Sequence, residues 1–166
     1  MLKPAAFLDR DGVINKEKEY VYKVEDFDWI DGAKESIKYL NDNNFYVFVV
    51  TNQSGIARGY YNESDVTLLH DYINDELKNL EAHIDEFFIS PYHPDNPNEY
   101  SHLSHLRKPE TGMLDLAANR WAIDKSKSFL IGDKNSDIEC AKNFFIRGHL
   151  FKKGNLLNFI KSAENF

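Results

Sequence analysis

The sequence predicts an α/β fold: a parallel sheet of about five or six strands with helices on both faces. Three observations predict it. Short apolar runs recur at Ala5–Leu8, at residues 46–50 and 87–90, and at Phe129–Gly132, with a weaker one at 146–151. Each is too short for a helix and apolar on both sides, as a strand buried on both faces is. Amphipathic patterns lie between the runs, and strands alternating with helices make a covered parallel sheet. Finally, the chemically reactive side chains follow the runs: Asp9 the first, Thr51 and Asn52 the second, Asp133 the fourth. Ligands of such sheets bind beyond the carboxyl ends of the strands.

The helices are read in the same way. Ala33, Ile37 and Leu40 mark one apolar face, and Val66, Leu69, Ile73, Leu77 and Leu80 recur at spacings of three and four. Residues 113–121 form a third helix. Ser136-Asp137-Ile138-Glu139 has the form of a capping box that starts a fourth, and residues 156–160 suggest a last one. The stretch 90–109 holds Pro91, Pro94, Pro97 and Pro109 with His93, His102 and His105. It reads as a long loop too rich in proline for a regular element, and loops of that length are usually functional. No repeat, linker or low-complexity tract interrupts the chain, so residues 1–166 are expected to form one domain.

Composition narrows the function classes. Of 166 residues, 42% are hydrophobic, with 12 Phe and 9 Tyr, which supplies a sizeable core and excludes a disordered chain. The formal net charge of -7 argues against a nucleic-acid partner, whose phosphates it would repel. A small phosphorylated ligand needs only a local cationic pocket. Cys140 is the one cysteine, so no internal disulfide forms, which suits a reducing cytosol. It is expected to be a packed core thiol. Met1-Leu2-Lys3-Pro4 has no signal-peptide pattern, and no run approaches the roughly 18 to 20 apolar residues that span a bilayer. A soluble cytoplasmic protein with no membrane partner is expected.

Four motifs carry chemistry. In Asp9-Arg10-Asp11-Gly12, strand alternation sends Asp9 and Asp11 to one side. Two close carboxylates repel unless a cation lies between them or one is protonated, and Mg2+, hard and oxygen-seeking, is the natural cation. Alone, the motif is equally compatible with a surface turn. Thr51-Asn52-Gln53-Ser54-Gly55 offers a hydroxyl, amides and backbone N–H groups that could cradle phosphate oxygens, or an ordinary capped turn. Arg107-Lys108 is a solvated basic pair in isolation; beside the other motifs, Lys108 is a compact charge for a phosphoryl group and Arg107 a fork for a second phosphate or a sugar oxygen. In Gly132-Asp133-Lys134-Asn135-Ser136-Asp137, Asp133 can complete a Mg2+ site, and Asp137 suits a metal-bound water or Lys134. The plainer reading is a helix start with acids favoured by the dipole.

Together and in this order the motifs resemble those of the haloacid dehalogenase superfamily of phosphatases. The resemblance implies a three-layer Rossmann-like fold and a Mg2+-dependent phosphomonoester hydrolase. Asp9 would be the nucleophile that becomes an aspartyl-phosphate, and Asp11 the general acid and base. Thr51 and Lys108 would hold the phosphoryl group, and Asp9, Asp11 and Asp133 the Mg2+, with Asp137 behind them. Neither gap that could hold a cap domain is long enough for one, so a capless enzyme is expected. The segments Phe7–Asn15, Val50–Gly59, Arg107-Lys108-Pro109 and Gly132-Asp133-Lys134 further resemble the D-glycero-D-manno-heptose 1,7-bisphosphate 7-phosphatase branch, with histidinol-phosphate phosphatases as near relatives. That branch implies substrate contacts from Glu17, Tyr20, Asn52, Gln53, Ser54, Arg107 and Lys134. It also implies a monomer whose product feeds activated heptose for bacterial surface polysaccharide. A non-catalytic phosphoacceptor module, the reading from another class, fits paired Asp9 and Asp11 with Thr51 poorly.

One departure stands out. Both branches carry a structural zinc on Cys-x-His and Cys-x-Cys pairs after the third strand. The matching positions here read Ser90-Pro91-Tyr92 and Ser104-His105-Leu106. The family zinc is therefore expected to be absent. A relocated site on His93, His102 and His105 is the alternative.

Overall fold

The computed structural model describes residues 1–162. Five strands, β1 (Ala5–Leu8), β2 (Tyr46–Asn52), β3 (Glu86–Ser90), β4 (Phe129–Gly132) and β5 (Arg147–Leu150), form one sheet in the order β3-β2-β1-β4-β5. All neighbouring pairs are parallel. The helices are α1 (Ala33–Asp42), α2 (Glu63–Lys78), α3 (Gly112–Arg120), α4 (Asn135–Asn143) and α5 (Leu156–Ser162).

Strand alternation divides the core in two. Ala6, Leu8, Val47, Val49, Phe129 and Ile131 pack with Ile37 of α1, Leu69 and Ile73 of α2 and Leu156 of α5. Ala5, Phe7, Phe48, Val50 and Leu130 face the other way, onto Met113 and Leu114 of α3 and Cys140 and Ala141 of α4. Every residue of β1 and β4 is buried. Cys140 is buried and its thiol donates to the Glu110 carbonyl. The edge strand β5 alternates half-buried and exposed residues, which is why its apolar signal is weak.

The strand order sets the position of the site. From β1 the chain winds outward to β2 and β3, then returns to β4 beside β1 and winds the other way to β5. Helices leave on opposite faces at this switch point, so a crevice opens beyond the carboxyl ends of β1 and β4. Leu8 pairs with Ile131, and the Asp9 N–H continues the ladder to the Ile131 carbonyl at 2.9 Å. Asp9 and Asp133 therefore emerge side by side.

Two expectations need correction. Helix α4 begins at Asn135, earlier than a Ser136–Glu139 capping box would place it; an Asp137 oxygen accepts from the Lys134 N–H at 3.1 Å. The stretch 90–109 also contains a regular element, a 3-10 helix over Glu99–Leu106. Its prolines flank this segment and leave 98–106 free of them. The Asn98 side chain caps it by accepting from the Tyr100 N–H at 3.0 Å, and its amide donates to the Ala57 carbonyl at 2.9 Å. Between Gly12 and α1, and between β3 and α3, the described residues form this helix, a 3-10 turn at Val24–Asp26 and an isolated bridge between Asn15 and Trp29. There is no cap domain among the described residues.

Candidate active site

A cavity of about 230 Å3 opens at the switch point, lined by Asp9, Asp11, Asn52, Gln53, Ser54, Lys108, Lys134 and Asp137, with residues 17–21, Tyr61 and Ser136 at its sides. The Asp9 carboxylate is its floor. One oxygen accepts from the Arg10 N–H at 2.9 Å and stands 3.0 Å from the Lys108 ammonium. Lys108 is itself buried between Asp9 and an Asp137 oxygen at 2.6 Å, and donates to the Val50 carbonyl at 2.8 Å. Burial pushes the Lys108 ammonium down, but the two carboxylates outweigh it and raise it above its ordinary value. Burial lifts Asp9 from 3.8 to about 7; Asp137 and Asp11 add to this and Lys108 opposes it.

Two glycines make the approach possible. Gly12 has φ +88, a left-handed turn that L side chains rarely adopt, and a Cβ there would lie 2.4 Å from an Asp133 oxygen. At Gly132, a Cβ would come within 2.1 Å of the Asp137 side chain. Asp137 thus packs against the strand end and reaches Lys108, a partner the sequence reading did not name. Its bond to Lys134 is to the backbone N–H.

Ligand oxygens of Asp9, Asp133 and Asp137 lie within 4.8 Å of one another, the one such group of three or more metal-binding side chains among the described residues. The buried Asp133 Oδ1 has no hydrogen-bond partner. An all-carboxylate set with an unsatisfied buried oxygen fits a hard divalent cation. The Asp11 carboxylate stands outside this trio. It accepts from Arg10 at 3.1 and 3.2 Å, from Asn15 at 2.9 Å and from Gln53 at 3.1 Å.

The other sequence-derived candidates divide. The Asn52 amide brackets the Lys108 peptide, accepting from its N–H at 3.1 Å and donating to its carbonyl at 3.3 Å. Gln53 donates to Thr51 Oγ1 at 2.8 Å and accepts from the Tyr61 hydroxyl at 2.6 Å. Thr51 is 1% exposed and lies behind the cavity wall. Glu17 and Lys134 face each other at 3.7 Å across the mouth. Burial raises Glu17 above its ordinary value against the pull of Lys134. Burial lowers Lys134, but Glu17 and Asp133 more than compensate. Tyr20, in a left-handed turn at φ 55, packs its ring against Tyr60 and Tyr61. Arg107 is not in this cavity. Its guanidinium donates to the Tyr92 carbonyl at 3.3 Å and lines a neighbouring concavity with Pro94, Ser104 and His105.

The three loop histidines do not converge. His93 faces Arg58 at 3.1 Å, and His102 Nδ1 lies 2.6 Å from the Glu99 carbonyl. Ser90 is fully buried and Leu106 packs into the core beside Met113.

Sequence reasoning passed over Arg10, His70 and Tyr61. Arg10 is fully buried, with one side-chain nitrogen on Asp11 and another 3.3 Å from His70 Nε2. The signal was available: Arg10 keeps the strand parity of Leu8, and His70 falls on the apolar face of α2 between Leu69 and Ile73.

Residues 5–162 match the family model described as polynucleotide kinase 3 phosphatase. The chain is 42% identical to a D-glycero-beta-D-manno-heptose-1,7-bisphosphate 7-phosphatase of Rhodopseudomonas palustris, over 97% of this chain and 90% of that protein. It is also 42% identical to a D-glycero-alpha-D-manno-heptose-1,7-bisphosphate 7-phosphatase of Photorhabdus laumondii, over 90% and 82%. The crystal structure of D,D-heptose 1,7-bisphosphate phosphatase from B. bronchiseptica, complexed with magnesium and phosphate, superposes with a TM-score of 0.81 at 26% identity, covering 98% of this chain and 88% of that one.

Proposed function

The chain belongs to the haloacid dehalogenase superfamily, in the family of the polynucleotide kinase 3 phosphatase model that it shares with the heptose-1,7-bisphosphate 7-phosphatases, and on that premise we propose that it hydrolyses a small sugar phosphate, a D-glycero-D-manno-heptose 1,7-bisphosphate at its 7-phosphate. One observation carries the reading. At the sheet's switch point, the Asp9 carboxylate is poised 3.0 Å from a buried lysine, in a group of acids whose Asp133 has an unsatisfied buried oxygen.

In this reading an Asp9 oxygen attacks phosphorus and the phosphorus–oxygen bond to the sugar breaks. Asp11 gives a proton to the departing sugar oxygen. It then takes a proton from the water that attacks the aspartyl-phosphate, which returns the Asp9 carboxylate and releases inorganic phosphate. Lys108 neutralises charge on the phosphoryl oxygens, and Asn52 fixes the peptide that carries it. Mg2+, held by Asp9 and Asp133, would supply further positive charge against those oxygens and favour the ionised form of Asp9. Glu17, Tyr20, Ser54 and Lys134, which line the cavity, would contact the sugar hydroxyls. Arg107, in the adjoining concavity, would meet the distal end of the substrate.

The proposal includes a single catalytic domain acting as a cytoplasmic monomer, without the zinc. No helix among the described residues is long and apolar enough to cross a membrane. The net charge of -7 weighs against a polynucleotide substrate. The test is phosphate release from both heptose 1,7-bisphosphate anomers, fructose 1,6-bisphosphate, histidinol phosphate and a 3'-phosphorylated oligonucleotide, with Mg2+ and with EDTA. Preference for a heptose bisphosphate, loss in EDTA and loss in Asp9→Asn are expected. Activity surviving Asp9→Asn refutes the covalent route. Preference for histidinol phosphate or the oligonucleotide refutes the substrate.

A further inference from the structure

Arg10 lies between the two aspartates of the first motif and is fully buried. Keeping the parity of Leu8, it enters the face covered by α2 instead of the cavity. A buried guanidinium is costly unless paired, and the arrangement of its partners is specific. Nη2 reaches both oxygens of Asp11, at 3.1 and 3.2 Å, and the Val21 carbonyl. Nη1 lies 3.3 Å from His70 Nε2. Arginine can only donate, so Nε2 accepts and the ring proton is on Nδ1. The His70 ring is stacked on Phe87 of β3, with centroids 4.2 Å apart and planes at 15°. Burial, then Arg10, holds His70 well below its ordinary value, so it remains a neutral acceptor.

We propose that Arg10, backed by His70, is the positioning residue of the acid/base Asp11: it grips the carboxylate from the protein side and aims it into the cavity. This rests on the phosphatase reading above. Asn15 and Gln53 are the remaining donors to Asp11, and both are neutral. Arg10 is the charged one, and its own direction is set from α2. The device links the helix behind the sheet to the proton that the leaving group receives.

The test exploits leaving groups. A sugar oxygen leaves well only if protonated, whereas p-nitrophenolate leaves without a proton. The ratio kcat/KM reports events up to formation of the aspartyl-phosphate, so it isolates the acid step. Arg10→Met should lower kcat/KM on fructose 1,6-bisphosphate roughly 30-fold or more, part of the usual worth of a general acid. On p-nitrophenyl phosphate the loss should be under about 3-fold on the same scale. Arg10→Lys should recover part of the loss, and His70→Gln should show the same leaving-group dependence in weaker form. Should Arg10→Met fail to fold, these last two variants decide. Equal losses on both substrates, or no loss, overturn the assignment, because a merely structural defect would not distinguish leaving groups. Asp11→Asn is the reference. If it shows the dependence and the Arg10 variants do not, the positioning role alone falls. If Asp11→Asn lacks it, the acid role of Asp11 falls and takes the Arg10 assignment with it.

Discussion

Replacing Asp9 by asparagine should abolish hydrolysis yet stabilise the cation-free protein at alkaline pH. Burial raises the Asp9 carboxyl from 3.8 to about 7, with Asp137 and Asp11 adding to it. A group raised in the folded state contributes fully below its unfolded pKa, and that contribution is lost as pH rises through the folded one. For Asp9 the window runs from 3.8 to about 7. Between about pH 5 and about pH 8, linkage over this shift costs the folded state roughly 3 kcal/mol. The asparagine side chain of the Asp9→Asn variant cannot ionise and escapes that cost. At roughly 2–4 °C per kcal/mol for a chain of this size, the melting temperature of wild type minus that of Asp9→Asn should fall by about 6–12 °C across the interval. The assay is thermal unfolding of both proteins in EDTA, at several pH values, by circular dichroism. Titrating groups remote from Asp9 cancel in the difference. Saturating Mg2+ should flatten the wild-type decline, because a cation on Asp9 favours the carboxylate. A difference that stays constant with pH, or grows as pH rises, would refute the buried, charge-crowded Asp9 on which the mechanism depends.

Other outcomes follow from the same geometry. Lys108→Met leaves Asp9 and Asp137 facing each other without their shared cation; a loss of about 3–5 kcal/mol, typical of a broken buried pair, should appear in urea titration, with activity lost. Gly132→Ala would force a Cβ to within 2.1 Å of Asp137. It should cost about 1–3 kcal/mol by overpacking and lower kcat, since Asp137 moves Lys108 with it; an unchanged kcat would show that the contact is slack. Elemental analysis of protein purified without added zinc should find zinc well below one per chain. A one-to-one signal would restore a metal to the loop.

The strands and the order of the motifs were legible because burial on both faces leaves a local mark. Ala5–Leu8 and Phe129–Gly132 are apolar throughout, and any reactive residue after them must lie at the sheet's carboxyl edge. The loop's 3-10 helix was less legible, because four prolines outweighed the unbroken stretch between Pro97 and Pro109. Lone side chains were harder still. Arg107 and Lys108 are adjacent, yet Lys108 enters the cavity and Arg107 leaves it, a divergence that depends on the loop's path.

By itself, the sequence determined the α/β class and the position of Asp9 and Asp133 directly after β1 and β4. These depend on residue type and spacing. Only the tertiary structure decided that Asp137 pairs with Lys108, that Gln53 is occupied by Thr51 and Tyr61, and that Arg10 and His70 stand behind Asp11. Those pairings join residues up to 60 positions apart. They arise where strands turn back at the switch point, and a linear spacing carries no record of which side chains meet there.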